Sequence, residues 1–256
     1  MERRAHAGLL AGRTACVTGA GQGNGRAIAI GLAEAGARVV AADSNAATLA
    51  ETAALLRAAG AAVREAVLDV TDAAACRTLA SALAAEGWAV DLLVNNAGIL
   101  IREGSDSPNA AANFERVMKV NVQGTFNVTQ AFSGQLKAAR GQIVNIASIA
   151  AFAGQGGILG YAPSKGAIKL YTQSLAQELA PFGVRVNALA PGVIDTPMTA
   201  ATRAAPEKLE RFMSRIPLGR VGQPHDLVGP IVFLCSPLAE YVTGVILPVD
   251  GGFLAV

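Results

Sequence analysis

Ser148, Tyr161 and Lys165 fall within one stretch, residues 148–165. Tyr161 and Lys165 are four apart, and side chains four apart share a helix face, so the spacing predicts an ammonium beside a phenol. A nearby cation favours phenolate and draws the phenol below its ordinary pKa of about 10. A phenol tuned in this way exchanges a proton with an alcohol or carbonyl near neutral pH. Ser148 follows an apolar run, residues 142–146, that reads as a buried strand. From that strand end its hydroxyl can hydrogen-bond the same substrate oxygen. The plainer readings are a surface Tyr/Lys pair and a turn serine, so a second, independent signal has to decide.

That signal is Thr18-Gly-Ala-Gly-Gln-Gly-Asn-Gly25. It follows a β-like segment, residues 13–17, and precedes an apolar-periodic helix over residues 26–35. Strand, glycine turn and helix form the context of a dinucleotide fingerprint. Gly19, Gly23 and Gly25 permit positive φ and close approach of a pyrophosphate to backbone N–H groups, and the helix start adds partial positive charge. Residues 37–42 read as the second strand and end at Asp43. A carboxylate there accepts from the two adenine-ribose hydroxyls and repels a 2′-phosphate; Asp43 could also cap the next helix. Ser44 and Gln22 are uncharged, so the reading is NAD over NADP.

With these residues in view, the chain resembles the short-chain dehydrogenase/reductase family in its compact single-domain form. The matching motifs are Thr18-Gly19-x-x-x-Gly23-x-Gly25, Asn95-Asn96-Ala97-Gly98, Asn121, Ser148, Tyr161-x-x-x-Lys165 and Pro191-Gly192. The resemblance implies an α/β fold of Rossmann type, a doubly wound, seven-stranded parallel sheet with helices on both faces. It implies that Tyr161 is the general acid/base, that Ser148 positions the reacting oxygen and that Lys165 binds the nicotinamide ribose. Asn121 would hold a water linking Lys165 to solvent; the alternative is an ordinary polar helix residue. Asp69 and Val70 would lie near the adenine, with Asp69 equally open to a helix-capping role. Asn95, Ala97 and Gly98 would line the adenosine side. Pro191 and Gly192 would turn Ile194 and Thr196 toward the carboxamide. Asn24 departs from the family pattern, which usually has an apolar residue between the last two glycines.

Short apolar strands alternate with helical stretches along the whole chain, the pattern of parallel βαβ units. A long helix is expected over residues 111–139 and another over 161–180. One domain spans residues 1–256, with about 1–10 a flexible N-terminal extension and about 196–217 a substrate lid. Phe152, Ile158 and Leu159 suggest an apolar pocket wall.

At 256 residues, 52% hydrophobic and 16% charged, the chain can bury a sizeable core and is not disordered. A formal net charge of +2 does not suggest a nucleic-acid partner. No stretch has transmembrane length, and no metal-ligand spacing is present. Cys16, Cys76 and Cys235 lie far apart, as expected of buried thiols in a reducing, cytoplasmic setting.

The expected activity is NAD(H)-dependent interconversion of a small secondary alcohol and a ketone, in a homotetramer or homodimer. The alternatives are a 3-oxoacyl-thioester reductase, for which a basic entrance for an acyl-carrier partner would speak and which Arg203, Arg211 and Arg215 leave open, and a non-catalytic NAD-sensing protein.

Overall fold

A computed structural model describes residues 8–256. Seven parallel strands form one sheet in the order β3-β2-β1-β4-β5-β6-β7. They are β1 (Thr14–Thr18), β2 (Arg38–Asp43), β3 (Val63–Val67), β4 (Leu92–Asn95), β5 (Gln142–Ile146), β6 (Arg185–Pro191) and β7 (Ile246–Val249). The connecting helices are α1 (Gly23–Glu34), α2 (Ala46–Ala58), α3 (Ala73–Ala85), α4 (Ala110–Met118), α5 (Gly124–Ala139), α6 (Tyr161–Leu179), α7 (Ala200–Arg203), α8 (Pro206–Met213) and α9 (Val228–Cys235).

The central strands are buried on both faces, which is why they read as continuous apolar runs rather than alternating ones. Alternation still sorts their side chains. Val17, Val39 and Ala41 join Ile28, Leu32, Leu49 and Ile231 on the α1/α2/α9 side. Cys16, Val40 and Ala42 join Cys76, Phe132, Leu136 and Leu175 on the α3/α5/α6 side. Strand order reverses between β1 and β4, and in a doubly wound sheet ligands bind in the crevice at the carboxyl ends of the strands at such a switch.

Three expectations change. The first helix begins at Gly23, not residue 26, so Gly23 and Gly25 belong to its first turn. The long helix expected over 111–139 is broken by a π-helical turn, Lys119–Gln123, between α4 and α5. Such turns widen a helix locally and occur often at functional positions. Of the expected flexible extension, residues 1–7 lie outside the described residues. Leu10 is only 1% exposed, and its N–H donates to Ala35 O at 2.9 Å, so it belongs to the core.

The expected lid region consists of a 3-10 turn, Pro197–Thr199, followed by α7 and α8. Helix α8 has no buried residue. No helix among the described residues is long and apolar enough to cross a membrane.

Candidate active site

The glycine turn is shaped by near-contact. Gly19 has φ +64°, and a Cβ there would stand 2.9 Å from Ala97 Cα. A Cβ on Gly25 would run into Gly19 O. Only glycine lets α1 start this close to the end of β1. The turn is tied to the end of β4 by side chains: Thr18 Oγ1 accepts from the N–H groups of Asn96 and Ala97, both at 3.1 Å, and Asn96 Nδ2 donates to Thr18 O and Gly19 O.

A cleft of about 600 Å³ runs over this turn, from Asp43, Asp69 and Val70 past Gly19, Gln22, Gly23, Asn24 and Gly25 to Thr196 and Met198. At the ribose end, Asp43 Oδ2 accepts from Gly21 N at 2.8 Å and Oδ1 from Asn45 N at 2.9 Å. The carboxylate is thereby fixed in place. Capping of α2 falls to Asn45, whose Oδ1 accepts from Ala47 and Thr48. Asp69 does not cap α3 either, because Asp72 does; Asp69 Oδ1 accepts from Thr71 N at 2.8 Å. The nearest arginine of the turn, Arg26, is spent on Gly21 O, Thr52 Oγ1 and Glu51.

A smaller recess continues from Asn24, Asn96 and Gly98 to Ser148, Tyr161, Lys165, Pro191, Gly192, Ile194 and Thr196. Tyr161 is the first residue of α6, where the helix dipole favours a phenolate. Ser148 is 7% exposed, and its Oγ accepts from Ala150 N at 3.1 Å, which leaves the hydroxyl proton to donate elsewhere.

The expectation that Lys165 tunes the phenol is corrected. Burial pushes the Tyr161 phenol above its usual value; the Ser148 hydroxyl and, after it, the charge of Arg102 pull it down. Lys165 Nζ instead donates to Ile146 O at 2.7 Å and stands 5.6 Å from the phenol ring centre. Lys165 is itself 5% exposed, and burial lowers its pKa from 10.5 to about 8.

Asn121 sits inside the π-turn, 1% exposed. Its Oδ1 accepts from Ile99 N at 2.8 Å, and its Nδ2 donates to Ile99 O and Ser164 Oγ, each at 3.0 Å. Both amide protons are thus committed, and Oδ1 keeps one acceptor site.

Asn95 faces away from the cleft, which corrects its assignment to the cofactor side. Its Nδ2 donates to Thr129 Oγ1 and Asn145 Oδ1 in a buried network joining β4, α5 and β5. Asn96, the next residue, is the one that lines the cleft.

Of the expected apolar wall, Ile158 lines a further recess of about 70 Å³ with Ser148, Tyr161, Leu100, Gln155, Met198 and Phe212. Phe152 and Leu159 are 41% and 44% exposed and take no part in that lining; Lys169 lies over the Phe152 ring. Arg102, which sequence reasoning missed, lines the same recess. Its Nη2 donates to Thr202 Oγ1 at 2.7 Å, and among the described residues no carboxylate pairs with it. An irregular loop has no periodicity to mark such a residue; its place after β4, at the carboxyl edge of the sheet, was the available clue.

The residues present fit a dinucleotide. A glycine turn with no room for a Cβ at Gly19 or Gly25 lies beside a fixed carboxylate, and Asn24 contributes a buried Oδ1 without a hydrogen-bond partner among the described residues. Among those residues, no group of His, Cys, Asp or Glu could hold a metal ion.

Comparison with known proteins agrees with this geometry. Residues 19–254 match the family model described as enoyl-(acyl carrier protein) reductase. The chain is 43% identical over 250 residues to a 2-dehydro-3-deoxy-D-gluconate 5-dehydrogenase of Bacillus subtilis, covering 96% of each chain. It is 43% identical over 254 residues to the L-tagatose-forming galactitol 2-dehydrogenase of Cereibacter sphaeroides, covering 95% of this chain and 96% of that one. A solved gluconate 5-dehydrogenase from Burkholderia cenocepacia, in complex with NADP and tartrate, is 37% identical and superposes with a TM-score of 0.91 over 96% of this chain and 97% of that one. The parallel sheet, the switch-point cleft, the Ser148/Tyr161/Lys165 convergence and these relatives together make the chain a member of the short-chain dehydrogenase/reductase family, an oxidoreductase that interconverts secondary alcohols and ketones.

Proposed function

We propose that the enzyme uses NAD(H) to oxidise one secondary hydroxyl of a small polyhydroxy acid, and to reduce the corresponding ketone. The observation that carries the substrate class is Arg102, an exposed cation with no carboxylate partner among the described residues, at the same recess as Ser148 and Tyr161. A carboxylate at one end of the substrate pairs with it while a hydroxyl meets the catalytic pair. The gluconate-type names of the relatives and the tartrate in one of them agree with an anionic, hydroxylated substrate.

In oxidation, Tyr161 accepts the substrate hydroxyl proton as phenolate, while the Ser148 hydroxyl hydrogen-bonds the same oxygen. In reduction, Tyr161 returns that proton to the carbonyl oxygen. The nicotinamide supplies or accepts the hydride when bound. Lys165, its Nζ turned to the Ile146 carbonyl in the same recess as Tyr161, would hold the nicotinamide ribose. Asn121, through the free acceptor site on Oδ1, holds the water that links Lys165 to solvent.

NAD is favoured over NADP by Asp43. Both its oxygens are held by backbone N–H groups, and Arg26, the nearby cation, is already paired with Glu51. A 2′-phosphate there would meet that fixed negative charge. Ala97, Gly98, Pro191, Gly192, Ile194 and Thr196 line the path to the nicotinamide end, and the segment over about 196–217 closes over the substrate.

The acyl-thioester alternative stays open, since relatives named 3-oxoacyl-[acyl-carrier-protein] reductase are 37–38% identical, though two of the three arginines considered for its partner have contacts of their own. Arg203 pairs with Asp195 at 2.6 Å, and Arg215 stacks on Phe253. The outer faces of α5 and α6 pair two copies of the chain or more, in a dimer or tetramer. The free, buried Cys16, Cys76 and Cys235 fit a reducing, cytoplasmic setting.

The test is a matched pair of substrates differing only at the acid: D-gluconate and D-glucitol, each with NAD+ and with NADP+. Expected is NAD+-dependent turnover with kcat/KM at least about tenfold higher for the acid, and loss of that preference in Arg102→Gln. Equal use of acid and alditol sinks the substrate reading; a preference for NADP+ sinks the role of Asp43.

A further inference from the structure

Asn24 occupies the second position of α1 and lines both the long cleft and the catalytic recess, so it stands where the two meet. Its Oδ1 is buried and has no donor among the described residues. A carbonyl oxygen shielded from water and left unpaired is costly, and one at the wall of a cleft is placed to accept from what fills it. The residue shares this corner with Thr196, whose methyl lies 3.3 Å from where a Cβ on Gly23 would stand.

The inference rests on the reading of the cleft as a dinucleotide site. The donors of such a molecule are few. The adenine amine and the adenine ribose hydroxyls belong to the Asp69 and Asp43 end, the pyrophosphate only accepts, and the nicotinamide ribose hydroxyls lie on the Tyr161/Lys165 side. The carboxamide NH2 remains, at the Thr196 side. We propose that Asn24 is a positioning residue whose Oδ1 accepts a hydrogen bond from the nicotinamide carboxamide. It fixes which way the carboxamide points, and so which face of the ring is turned toward the Ser148/Tyr161 recess. An apolar side chain at this position fills the same corner and leaves that rotation to other contacts.

The test is equilibrium binding to the intact protein, with no turnover involved. Three probes are compared by calorimetry: NAD+, its 3-acetylpyridine analogue, which keeps the carbonyl but has no N–H, and ADP-ribose, which has no nicotinamide. Wild type is expected to bind NAD+ about tenfold tighter than the analogue. In Asn24→Leu that gap should narrow to within about threefold while ADP-ribose affinity stays unchanged; the difference between the two gaps isolates the contact. A gap that survives the substitution, or an equal loss for all three probes, overturns the inference and makes Asn24 a residue of the turn itself. No gap in wild type overturns it without reference to any variant. Failure of wild type to bind either NAD+ or ADP-ribose removes the dinucleotide reading and the inference together.

Discussion

Lys165 shows how far residue spacing carries a chemical argument and where burial takes over. The i, i+4 relation to Tyr161 predicted shared placement, and both residues do line one recess. The electrostatics differ because Lys165 Nζ is turned to the Ile146 carbonyl and buried, with its pKa lowered to about 8. An unfolded lysine titrates at 10.5. Between pH 8 and 10.5 the unfolded chain therefore holds more of this proton than the folded one, so the site's contribution to stability rises with pH across that window. Below pH 8 the cost of the buried ammonium is felt in full. Lys165→Met removes the cost and loses one hydrogen bond. Relative to wild type, the variant should be more favoured at pH 7 than at pH 10.5, by a change on the order of 3 kcal/mol. Urea unfolding of both proteins at the two pH values measures this, and a difference that does not move with pH would show that the buried amine keeps an ordinary pKa when folded.

At the scale of elements, the π-turn Lys119–Gln123 does the most to hold the site together. It carries Asn121, which clamps both backbone groups of Ile99 and reaches Ser164 in α6. One side chain thus joins the loop after β4, the α4/α5 junction and the helix bearing Tyr161. Asn121→Ala leaves the Ile99 N–H and C=O without their partner, at about 1–3 kcal/mol. The expected result is faster amide exchange at Ile99 and Leu100 and a lower kcat, with exchange in β1 and β2 unchanged. Uniformly faster exchange would instead mean that the turn supports the whole fold. The strands were legible in the sequence because their apolar runs are buried on both faces; residues 142–146 match β5 end to end. The glycine turn was legible because its chemistry is local. The break in the long helix was not, since periodicity continues on both sides of it. Nor was the exchange of roles between Asn95 and Asn96, which depends on the partners β5 and α5 bring from elsewhere in the chain. Arg102 donates to Thr202, 100 residues further along the chain, a contact no local pattern encodes.

For the whole molecule, the outer faces of α5 and α6 leave apolar surface uncovered. Phe126 and Leu170 are 44% and 64% exposed, and Phe126 leans on Tyr171 with ring centres 6.2 Å apart. Isolated exposed apolar residues are ordinary; apolar residues exposed on both helices are where a second copy would sit in the assembly proposed above. A twofold arrangement buries the same patch from both chains at once. Helix α6 starts with Tyr161 and carries Lys165 one turn later, and α5 continues directly from the π-turn, so an interface on these faces would back onto the elements that hold the catalytic groups. The double substitution Phe126→Glu, Leu170→Glu places like charges opposite one another across that axis. Light scattering should then report particles of one chain's mass, 26.0 kDa, in place of a multiple of it. Because both positions are exposed in the single chain, the substitutions take little from its own core, and the fold should persist by circular dichroism. Turnover should fall while NAD+ still binds, since neither Phe126 nor Leu170 lines the cleft or the catalytic recess. Wild type running at one chain's mass would end the assembly reading; a variant that stays assembled would move the interface to another face.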